Sequence, residues 1–332
     1  MPRRRGSATL QYCYNARPLM TRSAGLAGLY RTRVRALARE VEHIHQGDVD
    51  ALHRLRVASR RLRELLPLVG FDRATGRKLR RRLRKTTRHL GAVRELDVLA
   101  GLIHELRGHP RYAAATLKQV GASVATARAA AREELAANLS TTKMARLTRR
   151  LDDAAEDVKA EETARKGRRA TEAAHAWVWA LDAREVRRAS QLLSSIEKAG
   201  ALYVPEPLHQ VRLAIKKLRY AAELRAAAPG GPPTADLRTL RSAQGVLGHL
   251  HDVEVLIAYV RHLQSSMPAP DLNAWHQLGL LVRVLEDDCR RLHGRYMRDR
   301  PKLLAIAARM AGTKGPVASA LRRPSATSRT SP

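Results

Sequence analysis

His53-Arg54-Leu55-Arg56-Val57-Ala58-Ser59-Arg60-Arg61-Leu62-Arg63 reappears in the same chain as His209-Gln210-Val211-Arg212-Leu213-Ala214-Ile215-Lys216-Lys217-Leu218-Arg219. Both copies read H-x-x-R-x-x-x-[RK]-[RK]-L-R. His53, Arg56, Arg60 and Arg63 fall at i, i+3, i+7 and i+10, which is one side of an α-helix. His209, Arg212, Lys216 and Arg219 keep the same spacing. A cationic helix face built twice implies a ligand that is long and negative.

A second pair of segments repeats with the first. Leu90-Gly91-Ala92-Val93-Arg94-Glu95-Leu96-Asp97-Val98-Leu99 matches Leu247-Gly248-His249-Leu250-His251-Asp252-Val253-Glu254-Val255-Leu256. His209 lies 156 positions after His53, and Gly248 lies 157 after Gly91. Two separated matches at nearly one offset point to an internal duplication. Around the first pair, Arg77, Arg81, Arg84, Arg88, Gly91 and Glu95 form one helical stripe, flanked by Lys78 and Lys85 and backed by Leu79, Leu83 and Leu90. Its counterpart reads Arg238, Arg241, Gly245, Gly248 and Asp252, with less charge. A glycine inside a helix costs about 1 kcal/mol relative to alanine, so its recurrence predicts a close approach there. Glu95 and Asp252, beyond the glycines, are placed to orient cations of the motif helices. Asp97 falls on the apolar side and is expected to be paired structurally.

Composition sets the class. There are 62 Lys+Arg against 31 Asp+Glu, a net charge of +31. That excess predicts affinity for a polyanion, be it nucleic acid, polyphosphate or an anionic membrane surface. A hydrophobic fraction of 44% supports a packed core, while aromatics are only 4% and Ala, Leu and Arg favour helix. Cys13 and Cys289 are too few and too distant for a disulfide framework or a zinc set, which fits a reducing compartment. No apolar run approaches the ~20 residues that cross a bilayer, and the basic start lacks a signal-peptide core. A cytoplasmic protein is expected. His43-x-His45 and His249-x-His251 are i, i+2 pairs that point apart on a helix, so no metal site and no cofactor are expected.

Along the chain, the pattern predicts an all-α protein of two four-helix bundles related by a pseudo-twofold. The first bundle is read at 21–140, a charged and solvated connecting helix at 141–170, and the second bundle at 171–300, its last helix ending near Arg298. Basic residues 1–20 and Ser/Thr/Pro-rich residues 311–332 read as disordered tails. In each half the motif helix comes second and a longer helix third.

These residues resemble the CHAD family, the conserved histidine α-helical domain. The resemblance rests on His53-x-x-Arg56-Val57-x-x-Arg60-Arg61-Leu62-Arg63 followed by Leu90-Gly91-x-x-Arg94-Glu95-x-Asp97-Val98. The second half adds Leu208-His209-x-x-Arg212-x-x-x-Lys216-Lys217-Leu218-Arg219-Tyr220 and Leu247-Gly248-x-Leu250-His251-Asp252. It spans roughly residues 22–300 and departs from the usual pattern at Glu95 and His251, where Asp and Asn are common. It implies two four-helix bundles around a basic groove that binds inorganic polyphosphate, with association with polyphosphate granules in bacteria. Many relatives carry a CYTH triphosphate-processing domain marked by alternating Glu-x-Glu-x-Lys, and no such segment occurs here.

Charge chemistry agrees with that implication, because polyphosphate offers dense negative charge and no base to read. Arg supplies forked contacts to phosphate oxygens, and Lys a mobile point charge. The expected groove has His53, Arg56, Arg60, Arg61, Arg63, Arg77, Arg81, Arg84, Lys85 and Arg88 on one wall. His209, Arg212, Lys216, Lys217, Arg219, Tyr220, Arg238 and Arg241 form the other. Divalent cations can accompany the polymer. The expected function is binding without catalysis. Nucleic-acid binding is the alternative, and a histidine-nucleophile enzyme is a weaker one that lacks paired carboxylates or a phosphate-cradling glycine loop.

Overall fold

The computed structural model describes residues 25–312 apart from 46–49, 139–140, 166, 227–233 and 267–270. The expected N-terminal tail, and all but the first two residues of the C-terminal one, lie outside the described residues. Nine α-helices and no strand occur among the described residues: α1 (Leu26–His45), α2 (Ala51–Leu65), α3 (Arg73–Leu106), α4 (Ala114–Asn138), α5 (Thr141–Ala164), α6 (Arg168–Ala199), α7 (Pro205–Arg225), α8 (Thr234–Ser265) and α9 (Leu272–Met310). A short 3-10 turn, Leu66–Leu68, follows α2. None of the described helices is long and apolar enough to cross a membrane.

Local signals explain the boundaries. Asp72 caps α3 by accepting from the backbone N–H groups of Ala74 and Thr75 at 2.8 and 3.0 Å. Pro205 and Pro207 fall within the first turn of α7, where a missing N–H is tolerated. The expected end of α9 near Arg298 is a correction: the helix continues through Pro301 to Met310. Proline there removes one backbone hydrogen bond. Beyond it Leu303, Ile306, Ala307 and Ala308 are buried, and Arg309 pairs with Asp236 at 2.6 Å. Tertiary packing thus outweighs the break.

Two apolar cores form. One gathers Tyr30, Val34 and Leu37 of α1, Leu55 and Leu62 of α2, Leu79, Leu83 and Leu90 of α3, and Leu147 and Leu151 of α5. The other gathers α6 to α9 with α4 and the end of α3, from Leu99 onward. Equivalent helices of the two halves touch each other: α2 against α7, α3 against α8, α4 against α9.

The expected division of helices needs correcting. Residues 141–170 do not make a solvated bridge. Met144, Leu147, Leu151, Ala154 and Ala155 of α5 are buried against α1, and Arg31 of α1 pairs with Glu156. α5 is the fourth helix of the first core, while α4 leans on α9. Its charged residues hid a buried stripe at i, i+3, i+7, i+10 and i+11. Leu151→Ala should lower stability by about 2–5 kcal/mol in urea titration, while Arg149→Ala stays within about 0.5 kcal/mol. A Leu151→Ala effect as small as that of the surface change would restore the bridge.

Candidate functional site

The apolar stripe of α2 turns Leu55, Ser59 and Leu62 into the first core and leaves His53, Arg56 and Arg60 at its edge, half-buried. There α2 meets α7. Lys216 of α7 is opposed by Arg60 and Arg56 from α2 as well as by Arg212 and Lys217 of its own helix. Burial first, and these cations after it, push its ammonium down to about 7. Arg56, Arg60, Arg212 and Lys216 make no ion pair with a described carboxylate. The two motif helices therefore form a seam of like charge.

Arg56 is held from below. One guanidinium nitrogen donates to the Thr87 carbonyl of α3 at 2.9 Å, and Thr87 and Ser59 share a 2.8 Å hydrogen bond. A Cβ on Gly91 would sit 3.4 Å from that same guanidinium nitrogen. The glycine in α3 thus makes room for an arginine of α2. Gly248 has no atom within 4 Å of a Cβ position, so the repeat does not carry this contact into the second half. Burial, with Arg60 and Arg94 alongside, pushes Arg56 down to about 10.

The histidines stand behind the cations. His53 is pushed down to about 4 by burial and then by Arg94, Arg56, Arg60 and Arg54, and its Nδ1 is buried without a partner. His209 is lowered by burial and then by His251, whose ring lies 4.6 Å away at 52°. Arg94 and His251 are equivalent positions, 157 apart like the two glycines. Each half therefore sets a motif histidine against a basic residue of its longer helix. Sequence reasoning left Arg94 out of the site. The signal available was its position seven residues after Thr87, on the inward face of α3.

Of the two acids expected to orient cations, Glu95 is exposed and within electrostatic reach of Arg56. Asp252 is half-buried among Arg212, His251, His249 and Arg94, and burial outweighs those cations to raise its carboxyl above the usual range. His251 Nδ1 also lies 3.7 Å from Glu254, which accepts a 3.0 Å hydrogen bond from the Tyr203 hydroxyl.

The acid that sequence reasoning missed altogether is Glu223, near the end of α7. Arg219 of α7, Arg241 of α8 and Arg61 of α2 approach its carboxylate at 2.5, 3.3 and 3.6 Å. Arg33 of α1 feels it as well. Glu223 thus joins cations from four helices of both halves.

This corrects four expectations. Arg219 is only 2% exposed, donates to Gln244 at 2.7 Å as well as to Glu223, and lies 4.5 Å from the Tyr220 ring centroid. Tyr220 is itself buried. Both are framework residues, because the turn that carries Lys216 outward carries Arg219 inward. Arg61 and Arg241 are likewise committed to Glu223.

The remaining residues spread outward. Arg63 of α2 stands near Arg60, and near Arg84 and Arg80 of α3. Arg77, Arg81, Arg84 and Arg88 are exposed along α3, with Lys217 on α7 and Arg238 on α8. Lys85 is exposed on another edge of α3. Asp97 pairs with Arg128 and Arg132 of α4 at 2.6 and 3.4 Å, away from the seam. The buried Nε groups of Arg61, Arg63, Arg212 and Arg241 have no hydrogen-bond partner within the protein.

A family model for the CHAD domain matches residues 29–261, and the chain belongs to that family. Among solved structures, PptA from Streptomyces chartreusis superposes with a TM-score of 0.58 at 19% identity, over 82% of this chain and 97% of that one. The CHAD domain from the plant Ricinus communis gives 0.54 at 23% identity, over 83% and 93%. At those identities the likeness is one of fold. A comparison with curated proteins finds no match.

Two stability predictions follow from the geometry. Glu223→Gln leaves its arginines without their anion and should destabilise the fold by about 3 kcal/mol at low salt. Part of that loss should return in high salt, and a loss independent of salt would show that Glu223 acts by packing alone. Lys216 gives the second. Its ordinary value is 10.5, so between about 7 and 10.5 the unfolded chain holds a proton that the folded protein has released. Stability of the ligand-free protein should therefore rise with pH across that window. Lys216→Met should flatten the rise in denaturant titrations, and equal slopes for both proteins would contradict the assignment.

Proposed function

We propose that this protein binds inorganic polyphosphate in a cationic groove along the α2/α7 seam and performs no chemistry on it. The observation that carries the reading is the crowding of Arg56, Arg60, Arg212 and Lys216 from both motif helices, none of them in an ion pair with a described carboxylate. Family membership supports the ligand class, as the CHAD resemblance implies polyphosphate. Each internal phosphate adds about one negative charge, and forked arginine contacts suit its oxygens. His53 and His209 sit where an incoming polyanion favours their protonated, donating form. Glu95 and Asp252 are assigned the task of orienting the seam cations, and Arg94 joins the binding set.

No cofactor is required, although divalent cations can arrive with the polymer. A cytoplasmic location on polyphosphate granules fits the ligand. Nucleic acid is the competing ligand. Base stacking needs exposed aromatic faces, and Tyr220, the one aromatic beside the motif cations, is buried.

Titration with long-chain polyphosphate should show binding that weakens steeply with salt through counterion release. Charge reversal at Arg60 and Lys216 should weaken it at least about tenfold each at low salt, and more together. A double variant that binds like wild type would move the site elsewhere. Displacement of polyphosphate by RNA or DNA at equal phosphate concentration would favour the nucleic-acid reading, and release of phosphate in the presence of Mg²⁺ would overturn the non-catalytic one.

A further inference from the structure

α3 is basic on more than one edge. Arg84 and Arg80 stand toward Arg63 of α2. Arg82 lies about 160° round the helix from Arg84, at 100° per residue. On its side Lys78, Arg82 and Lys85 follow at i, i+4 and i+7, all exposed. α5 carries its own row, Lys143, Arg146 and Arg150, at i, i+3 and i+7, also exposed. The spacing is the one that defines the motif helices.

The two rows flank one core, where Leu79 and Leu83 of α3 cluster with Leu147 and Leu151 of α5. Arg82 stands within electrostatic reach of Arg150 and Arg146 of α5 and of Arg81 of its own helix. The six residues make no ion pair with a described carboxylate. Of the acids of α5, Glu156 pairs with Arg31 of α1, and Asp152 interacts with Arg31 and Arg35 of that helix. Burial of Leu147 and Leu151 against α1 fixes the α5 row in this position.

We propose that Lys78, Arg82 and Lys85 of α3, with Lys143, Arg146 and Arg150 of α5, form a second polyanion-binding strip that takes the part of a long polyphosphate chain extending beyond the α2/α7 seam. The inference rests on the reading of the seam as a polyphosphate site. A long chain crosses the exposed arginines Arg81, Arg84 and Arg88 on the crest of α3 and comes down onto the α5 row. Binding one polymer at two linked places raises affinity through effective concentration, without a new contact at the seam. A chain too short to cross the crest gains nothing.

The test compares short polyphosphate, of about ten phosphates, with chains of several hundred, on wild type, on Arg60→Glu/Lys216→Glu and on Arg82→Gln/Arg146→Gln/Arg150→Gln. The strip variant should keep its affinity for short chains and lose about tenfold or more for long ones. Its long-chain salt slope should fall by about 2–3, as three phosphate contacts go. Its thermal midpoint without ligand should be unchanged or raised, since repulsion has been relieved. Long-chain affinity and slope equal to wild type would overturn the strip and leave the seam standing. Equal losses for both lengths would reveal a bulk charge effect and overturn it as well. If wild type binds neither length, the seam reading itself fails, and the strip with it.

Discussion

Like charge held at the crossing of α2 and α7 is the constraint around which the rest of this structure is arranged. Two unit charges of the same sign about 6 Å apart repel by roughly 3 kcal/mol at an effective dielectric constant near 20. Arg56, Arg60, Arg212 and Lys216 face that penalty without an ion pair to a described carboxylate. Two apolar cores offset it from either side, a fully buried leucine contributing about 2 kcal/mol. Acids are spent at the periphery, tying neighbouring helices: Glu40 to Arg54, Asp97 to Arg128, Asp182 to Arg225, Glu286 to Arg261. Glu223 is the exception. It stands at the end of the seam and binds the halves together, so the crossing stays closed without its cations being neutralised along its length.

The two halves answer that constraint unequally. On the first side Arg56 is fixed by Thr87 and by the space at Gly91, and His53 is backed by Arg94, a permanent charge. On the second side a Cβ on Gly248 would meet nothing, and His209 is backed by the His251 ring. Glu254 and Tyr203 stand behind His251. The two motif histidines thus meet different partners at the same crossing.

The helical class, the repeat and the pairing of motif helices were legible in the sequence because they depend on spacing, and spacing survives in one dimension. So were the seam cations at i, i+3 and i+7. Arg219 was not: it shares the side of Arg212 but, two turns further along α7, meets Gln244 of α8 and Glu223 and is buried there. The same stripe that gives Lys216 to the seam gives Arg219 to the core. Glu223 escaped notice because its meaning lies in arginines from three other helices, none of them near it in sequence. Arg94 lies off the basic stripe of α3, and only the approach of α2 brings it to the site. α5 was misjudged for a related reason. Charge density marks what a helix shows to water, while five small or apolar side chains decide what it packs against.

That last point bears on how the charge of this protein is organised. A net charge of +31 spread evenly would destabilise any compact fold through self-repulsion. Here part of the excess stands in rows: α2 and α7 at the seam and the crest of α3. Each row is backed by buried leucines of the same helix, so the repulsion between rows is borne by elements that cannot separate without exposing a core. A polyanion that runs from row to row relieves several repulsions at once. Its binding energy would be drawn partly from repulsion present in the folded state, an advantage of rigid helices over a flexible basic tail of equal charge.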